Sequence, residues 1–142
     1  MLRVVIDTNV FVSGLLSRTG ASVQVLDAWR RRKFLLITSV DIIYEVRAVL
    51  TESILPQKYK LSDKDVGDLI ALLERDALIV PGQADVHGAL MEDPEDEMFL
   101  ASALDGQADF IVSGDHHLLD LVEYHRIPIL TIRQFLDELE RN

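Results

Sequence analysis

Short unbroken apolar runs alternate with helical patterns from one end of the chain to the other, the arrangement expected of a parallel α/β sheet. Val4-Val5-Ile6 is a continuous β-branched run, as a strand buried on both faces requires. Leu35-Leu36-Ile37-Thr38, Ala77-Leu78-Ile79-Val80, Phe110-Ile111-Val112 and Ile129-Leu130-Thr131 read the same way. Together they predict a central parallel sheet of about five strands. Helices are predicted at 9–16, 22–32, 40–51, 63–76, 94–105, 116–123 and 132–140. Ser62 caps one, with Asp65 three residues on and the stripe Val66, Leu69, Ile70, Leu73 behind it. Thr131 caps the last, turning Ile132, Phe135, Leu136 and Leu139 inward. Pro56, Pro81 and Pro128 fall in connections, while Pro94 suits a first helical turn. There is no repeat, low-complexity tract or linker, so residues 1–142 read as one α/β domain.

Composition narrows the class. A chain that is 49% hydrophobic is not disordered by default. The absence of cysteine excludes disulfides, a thiol nucleophile, thiolate zinc sites and iron–sulfur clusters. The longest apolar run, Leu69 to Leu73, is far short of the ~20 residues of a membrane span. Asp7 interrupts the N-terminal apolar stretch, so no signal peptide is visible and the expected location is the cytoplasm. Glycines lack phosphate-loop and dinucleotide spacing, there is no serine nucleophile elbow, and the four histidines lack helical metal-ligand spacing.

The net charge of −10 is unevenly spread. Residues 1–60 carry nine basic and five acidic side chains, whereas residues 61–142 carry five and nineteen. Such a chain does not advertise nucleic-acid binding, but packed carboxylates can cage a hard divalent cation. Position decides between that use and mere solubility.

Four acids stand out. Asp7 follows Val4-Val5-Ile6, and Asp115 closes Phe110-Ile111-Val112-Ser113-Gly114 in the same manner. Ligands of open parallel sheets bind beyond the carboxyl ends of strands, although Asp is also a favoured helix cap. Glu45 borders the apolar stripe Ile42, Val46, Val49, Leu50, an ordinary place for an acid. Asp93-Pro94-Glu95-Asp96 reads as a cap, a first-turn proline and acids favoured by the helix dipole. At about 100° per residue, however, Asp96 aligns with Phe99, Leu100 and Ala103, while Glu95 and Glu97 turn toward water. A carboxylate on an inward face needs a cation or several donors.

These residues carry a resemblance. Asp7-Thr8-Asn9-Val10-Phe11, Glu45, and the stretch from Asp93 through Phe99-Leu100-Ala101-Ser102-Ala103 to Ala108-Asp109-Phe110-Ile111-Val112-Ser113-Gly114-Asp115 resemble the PIN domain. Within it they are most similar to the toxin-type, VapC-like ribonucleases of prokaryotic toxin–antitoxin pairs. The similarity runs in order from about Arg3 to Leu136. It implies a three-layer α/β/α fold and an acidic quartet at Asp7, Glu45, Asp96 and Asp115. Asp93 matches a further acid of the subgroup, and Thr8, Asn9 and Ser113 match polar residues that support the quartet. His117 departs from the pattern, for many relatives have an acid there. Its expected place is a solvated first helical turn, which leaves a second metal position open.

Carboxylates at strand ends suit one or two Mg²⁺ or Mn²⁺ ions. Asp7 is assigned as the central ligand, Asp96 and Asp115 complete the set, and Glu45 binds directly or through water. The resemblance implies an endoribonuclease cutting RNA phosphodiester bonds, a homodimer, and an antitoxin partner that blocks the site. Arg30-Arg31-Arg32-Lys33 is the one dense basic cluster. It serves RNA phosphates, an acidic antitoxin segment, or only the dipole at a helix C-terminus. Asn9 stands where a haloacid-dehalogenase-like phosphatase has its second Asp, and no lysine follows Lys64, which counts against a response-regulator receiver. A non-catalytic protein-binding module on the same fold and a housekeeping RNA-processing nuclease remain as alternatives.

Overall fold

The run Val4-Val5-Ile6 lies at the centre of the molecule, each residue no more than 1% exposed, in strand β1 (Arg3–Ile6). The structure, a computed structural model, describes residues 1–53, 55–59 and 61–142. The other strands are β2 (Leu35–Ser39), β3 (Leu78–Val80), β4 (Phe110–Val112), β5 (Glu123–Tyr124) and β6 (Ile127–Leu130). The helices are α1 (Thr8–Leu16), α2 (Ala21–Arg30), α3 (Val40–Glu52), α4 (Leu55–Lys58), α5 (Asp63–Asp76), α6 (Glu97–Gly106), α7 (His116–Leu119) and α8 (Ile132–Arg141). A 3-10 turn, Pro94–Asp96, leads into α6.

The sheet order is β3-β2-β1-β4-β6-β5. The first five strands in that order are parallel, with Val5 opposite Ile37 on one side and Ile111 on the other. The chain steps outward from β1 to β2 and β3, then jumps back across β1 to β4. Right-handed crossovers therefore place α6 on the opposite face from the helices of the first two crossovers. That helix packs across β1, β2, β3 and β4, while α1 packs on α2 and α3, and α2 on α8. The result is the expected three layers. Reversal of direction between β1 and β4 opens a crevice past their carboxyl ends, where such sheets bind ligands.

Close approach of α6 to the sheet depends on Gly106. A Cβ there would stand 2.6 Å from Ile37 Cγ2 and 2.9 Å from its Cδ1, inside a fully buried side chain. Gly106→Ala is expected to cost about 1–3 kcal/mol by overpacking, read from urea denaturation.

Several elements differ from the sequence reading. Strand β3 is an edge strand, with Leu78 and Ile79 exposed rather than buried on both faces. Pro56 falls within α4, not a connection. Pro128 lies inside β6 opposite Glu123, where the antiparallel ladder is only two residue pairs long and tolerates a missing N–H. Helix α7 stops at Leu119 instead of continuing to 123, because the chain turns back as the β5–β6 hairpin. Its two connecting residues, His125 and Arg126, both have positive φ (48° and 67°). A type I′ turn demands this but usually announces it with Asn-Gly. No helix among the described residues is long and apolar enough to cross a membrane.

Candidate metal centre

Asp7 is the first residue past β1 and the N-cap of α1. It is 2% exposed. One carboxylate oxygen accepts from the Val10 N–H at 3.1 Å. The other accepts from the Ser113 hydroxyl and, at 3.3 Å, from the Gly114 N–H. Burial pushes the Asp7 carboxyl up, the three donors pull it back, and the Asp115 charge adds to the rise. Ser113, fully buried past β4, also accepts from the Asp115 N–H at 2.9 Å. One hydroxyl thus ties the two strand ends together. Asp115 caps α7, accepting the His117 N–H at 3.0 Å. Capping and site membership are compatible here, since each carboxylate oxygen has a second lone pair.

Asp96 enters from the opposite layer. It caps nothing with its side chain and lies against Asp115 and Asp93. Burial, a hydrogen bond to Asp115 and the Asp93 charge push its carboxyl up to about 9. Asp115 is held below its ordinary value, first by the hydrogen bond from Asp96 and further by the His117 N–H and neighbouring imidazoles. The two carboxyls titrate as a pair, with Asp96 pushed toward its neutral form and Asp115 toward its charged one. Asp93 makes no side-chain cap bond, contrary to the sequence reading. Its Oδ2 instead faces His117 Nδ1 at 3.4 Å.

Glu97 does not turn to water. It is buried, and its Oε2 accepts from the Leu90 N–H at 2.8 Å. The 3-10 turn advances by about 120° per residue, so Pro94–Asp96 puts α6 about 60° out of phase with a straight α-helix from Pro94. The wheel that found Asp96 therefore missed Glu97. The bond fixes the segment that presents Glu92 and Asp93.

Glu45 is half-buried on α3 and accepts the Thr8 hydroxyl on Oε2. It joins the centre through the residue next to Asp7. Asn9 is exposed and, among the described residues, hydrogen-bonds to none of the acids. His117 is also a correction. Its ring is half-buried, with Nδ1 3.7 Å from Asp115 Oδ1 and Nε2 3.4 Å from Glu92 Oε2. The neighbouring His116 takes the solvated position. Asp93, Asp115 and His117 offer three donor atoms within 4.8 Å of one another. The dense basic cluster Arg30 to Lys33 is exposed before β2, at the amino ends of the strands and therefore the far pole from the acids.

Among the described residues, every Lys and Arg ion pair lies elsewhere, and the acids of the centre meet only histidines. Carboxylates gathered without basic partners, past the switch-point strands of an α/β/α sheet, define a class of fold with an acidic centre. The chain belongs to the PIN domain family, whose profile matches residues 3–117. It is 24% identical over 148 aligned residues to an uncharacterized protein of Methanocaldococcus jannaschii, MJ1680, covering 99% of this chain and 93% of that one. The solved VapBC2 from Rickettsia felis, bound to a DNA fragment from their promoter, is similar in fold at a TM-score of 0.61. There the identity is 13%, over 92% of this chain and 98% of the other.

Proposed function

We propose that this PIN domain is an Mg²⁺- or Mn²⁺-dependent endoribonuclease and the toxin of a type II toxin–antitoxin pair, acting in the cytoplasm as a homodimer. The observation that carries the catalytic half is a row of neighbouring carboxylates, Asp7 beside Asp115 through Ser113 and Asp115 beside Asp96 and Asp93, with no Lys or Arg paired to them among the described residues. The donor set fits a hard divalent ion, since it is rich in carboxylate oxygen. Asp7, Asp96 and Asp115 would hold it, with Asp93 adjoining and Glu45 reached through Thr8. When bound, such an ion lowers the pKa of water and stabilises charge on a phosphodiester.

The chain's own contribution is preorganisation. Ser113 holds the Asp7 carboxylate and fastens the Asp115 backbone beside it, and Thr8 holds the Glu45 carboxylate as an acceptor at the rim. Asp115, which touches Asp96 and neighbours Asp93 and His117, is a better shared ligand than Asp7, whose oxygens are already engaged by three donors. The VapBC2 neighbour supports an antitoxin partner for the toxin half of the reading.

Cleavage of a labelled RNA, with Mg²⁺ or Mn²⁺ and with excess chelator, tests the reaction. Cleavage is expected only with the ion, while circular dichroism remains that of the folded chain. Undiminished cleavage in chelator overturns the metal-dependent reading, and no cleavage of any RNA favours the binding-module alternative.

A further inference from the structure

We infer that His117 supplies a nitrogen ligand to a divalent cation shared with Asp93 and Asp115, and that this ligand makes the position favour Mn²⁺ over Mg²⁺. The inference rests on the reading above that the acids hold a divalent ion, and adds which ion and by which atom.

Three observations point the same way. The His117 Nδ1 atom stands 3.4 Å from Asp93 Oδ2 and 3.7 Å from Asp115 Oδ1, whereas His116, with its Nδ1 also 3.7 Å from Asp115 Oδ1, is mostly exposed and among the described residues meets no second acid. Ligands around a Mg²⁺- or Mn²⁺-sized ion stand about 3 Å apart when adjacent and about 4.2 Å apart when opposed. The three donor atoms, within 4.8 Å, need only small rotations to close on one ion. The far nitrogen, Nε2, faces Glu92 Oε2 at 3.4 Å. Metal-ligating imidazoles generally direct their second N–H to a carboxylate, which leaves the lone pair on the nearer nitrogen free for the metal. The segment carrying Glu92 and Asp93 is itself fastened, through Leu90, to the buried Glu97 carboxylate.

The choice of ion follows from the ligand. Mg²⁺ takes oxygen and keeps its waters, whereas an imidazole nitrogen suits first-row transition ions. An acid at this position would offer Mg²⁺ a third carboxylate. With histidine, the same geometry gives that advantage to Mn²⁺ and, further along the series, to Co²⁺.

The experiment uses the full chain and titrates Mn²⁺ and Mg²⁺ by calorimetry into the parent, His117→Ala and His117→Asp, each first checked for an unchanged far-ultraviolet spectrum. Pulsed electron paramagnetic resonance then looks for directly coordinated ¹⁴N on bound Mn²⁺. The parent is expected to prefer Mn²⁺ by at least about tenfold, and His117→Ala to lose that preference chiefly through weaker Mn²⁺ binding, by about 10–100-fold. His117→Asp should restore Mg²⁺ binding relative to Mn²⁺, and the ¹⁴N modulation should vanish in both variants. An unchanged Mn²⁺/Mg²⁺ ratio in His117→Ala, or bound Mn²⁺ without ¹⁴N coupling, overturns the proposal and leaves His117 as a polar neighbour of the acids. Selective Mn²⁺ binding without RNA cleavage would uphold the inference and end the nuclease reading. No divalent binding at all would end both.

Discussion

On the ribonuclease reading, Asp7→Asn, Asp96→Asn and Asp115→Asn are each expected to lower RNA cleavage by at least about a hundredfold, about 2.7 kcal/mol in the barrier. Each substitution removes a charge with almost no change of shape. Asp7→Asn also puts an amide where Ser113, Gly114 and Val10 all donate, so one donor is left facing another. Glu45→Gln keeps an acceptor for Thr8 and costs less, about tenfold. Asn9→Ala, at an exposed position, changes the rate by no more than about threefold. Initial rates at saturating Mn²⁺ measure the series. Equal losses for Asn9→Ala and Asp96→Asn would require a different set of ligands.

The second large effect is on stability. The Asp96 carboxyl rises from 3.8 to about 9, chiefly through burial and then through Asp115 and Asp93, and Asp7 rises as well. A carboxyl with a raised folded pKa binds more protons in the folded state than in the unfolded one between the two values. Metal-free protein therefore loses stability as pH climbs from about 4 toward 9. Asp115, held low, contributes in the opposite sense, and its share is lost only as pH falls into the acid range. Asp96→Asn removes the largest rise. It should raise the metal-free melting temperature at pH 8 by several degrees, the equivalent of about 1 kcal/mol once solvent screening of this half-exposed group is allowed for. Mn²⁺ at a hundredfold excess over its Kd stabilises the parent by about 2.7 kcal/mol, and the variant by much less. Binding to the parent is also expected to release a proton from the Asp96–Asp115 pair, which calorimetry in two buffers of different ionisation enthalpy detects. Melts of both proteins with chelator and with Mn²⁺ decide the matter. An equal shift in both would remove Asp96 from the ligands.

What the sequence discloses and what it conceals follow from how local each signal is. Unbroken runs such as Val4-Val5-Ile6 and Phe110-Ile111-Val112 name buried parallel strands directly, and an acid placed immediately after such a run is visible without coordinates. Asp96 was legible because a charge interrupts an apolar stripe. Glu97 was hidden by a change of helical pitch that no composition records. His117 was hidden because two adjacent histidines look alike until Asp93, 24 residues earlier, is brought beside one of them. The β5–β6 hairpin was hidden because His125 and Arg126 take up positive φ without a glycine or asparagine. The family resemblance supplied the order of the acids, but not their contacts.

The strand order has a consequence for synthesis. β1 emerges first, pairs with β2 on one side, and keeps its other edge open until β4 arrives at Phe110–Val112. A chain still growing through α6 already contains Asp7, Glu45 and Asp96, yet it lacks Ser113 to hold Asp7 and Asp115 to accept the hydrogen bond of Asp96. Domains fold as units as they leave the ribosome, so synthesis of the segment from β4 through α7 is the step that completes the centre. On the proposed reading, a product that stops short of Asp115 is expected to be inert, and an antitoxin would have to meet the protein only after that point.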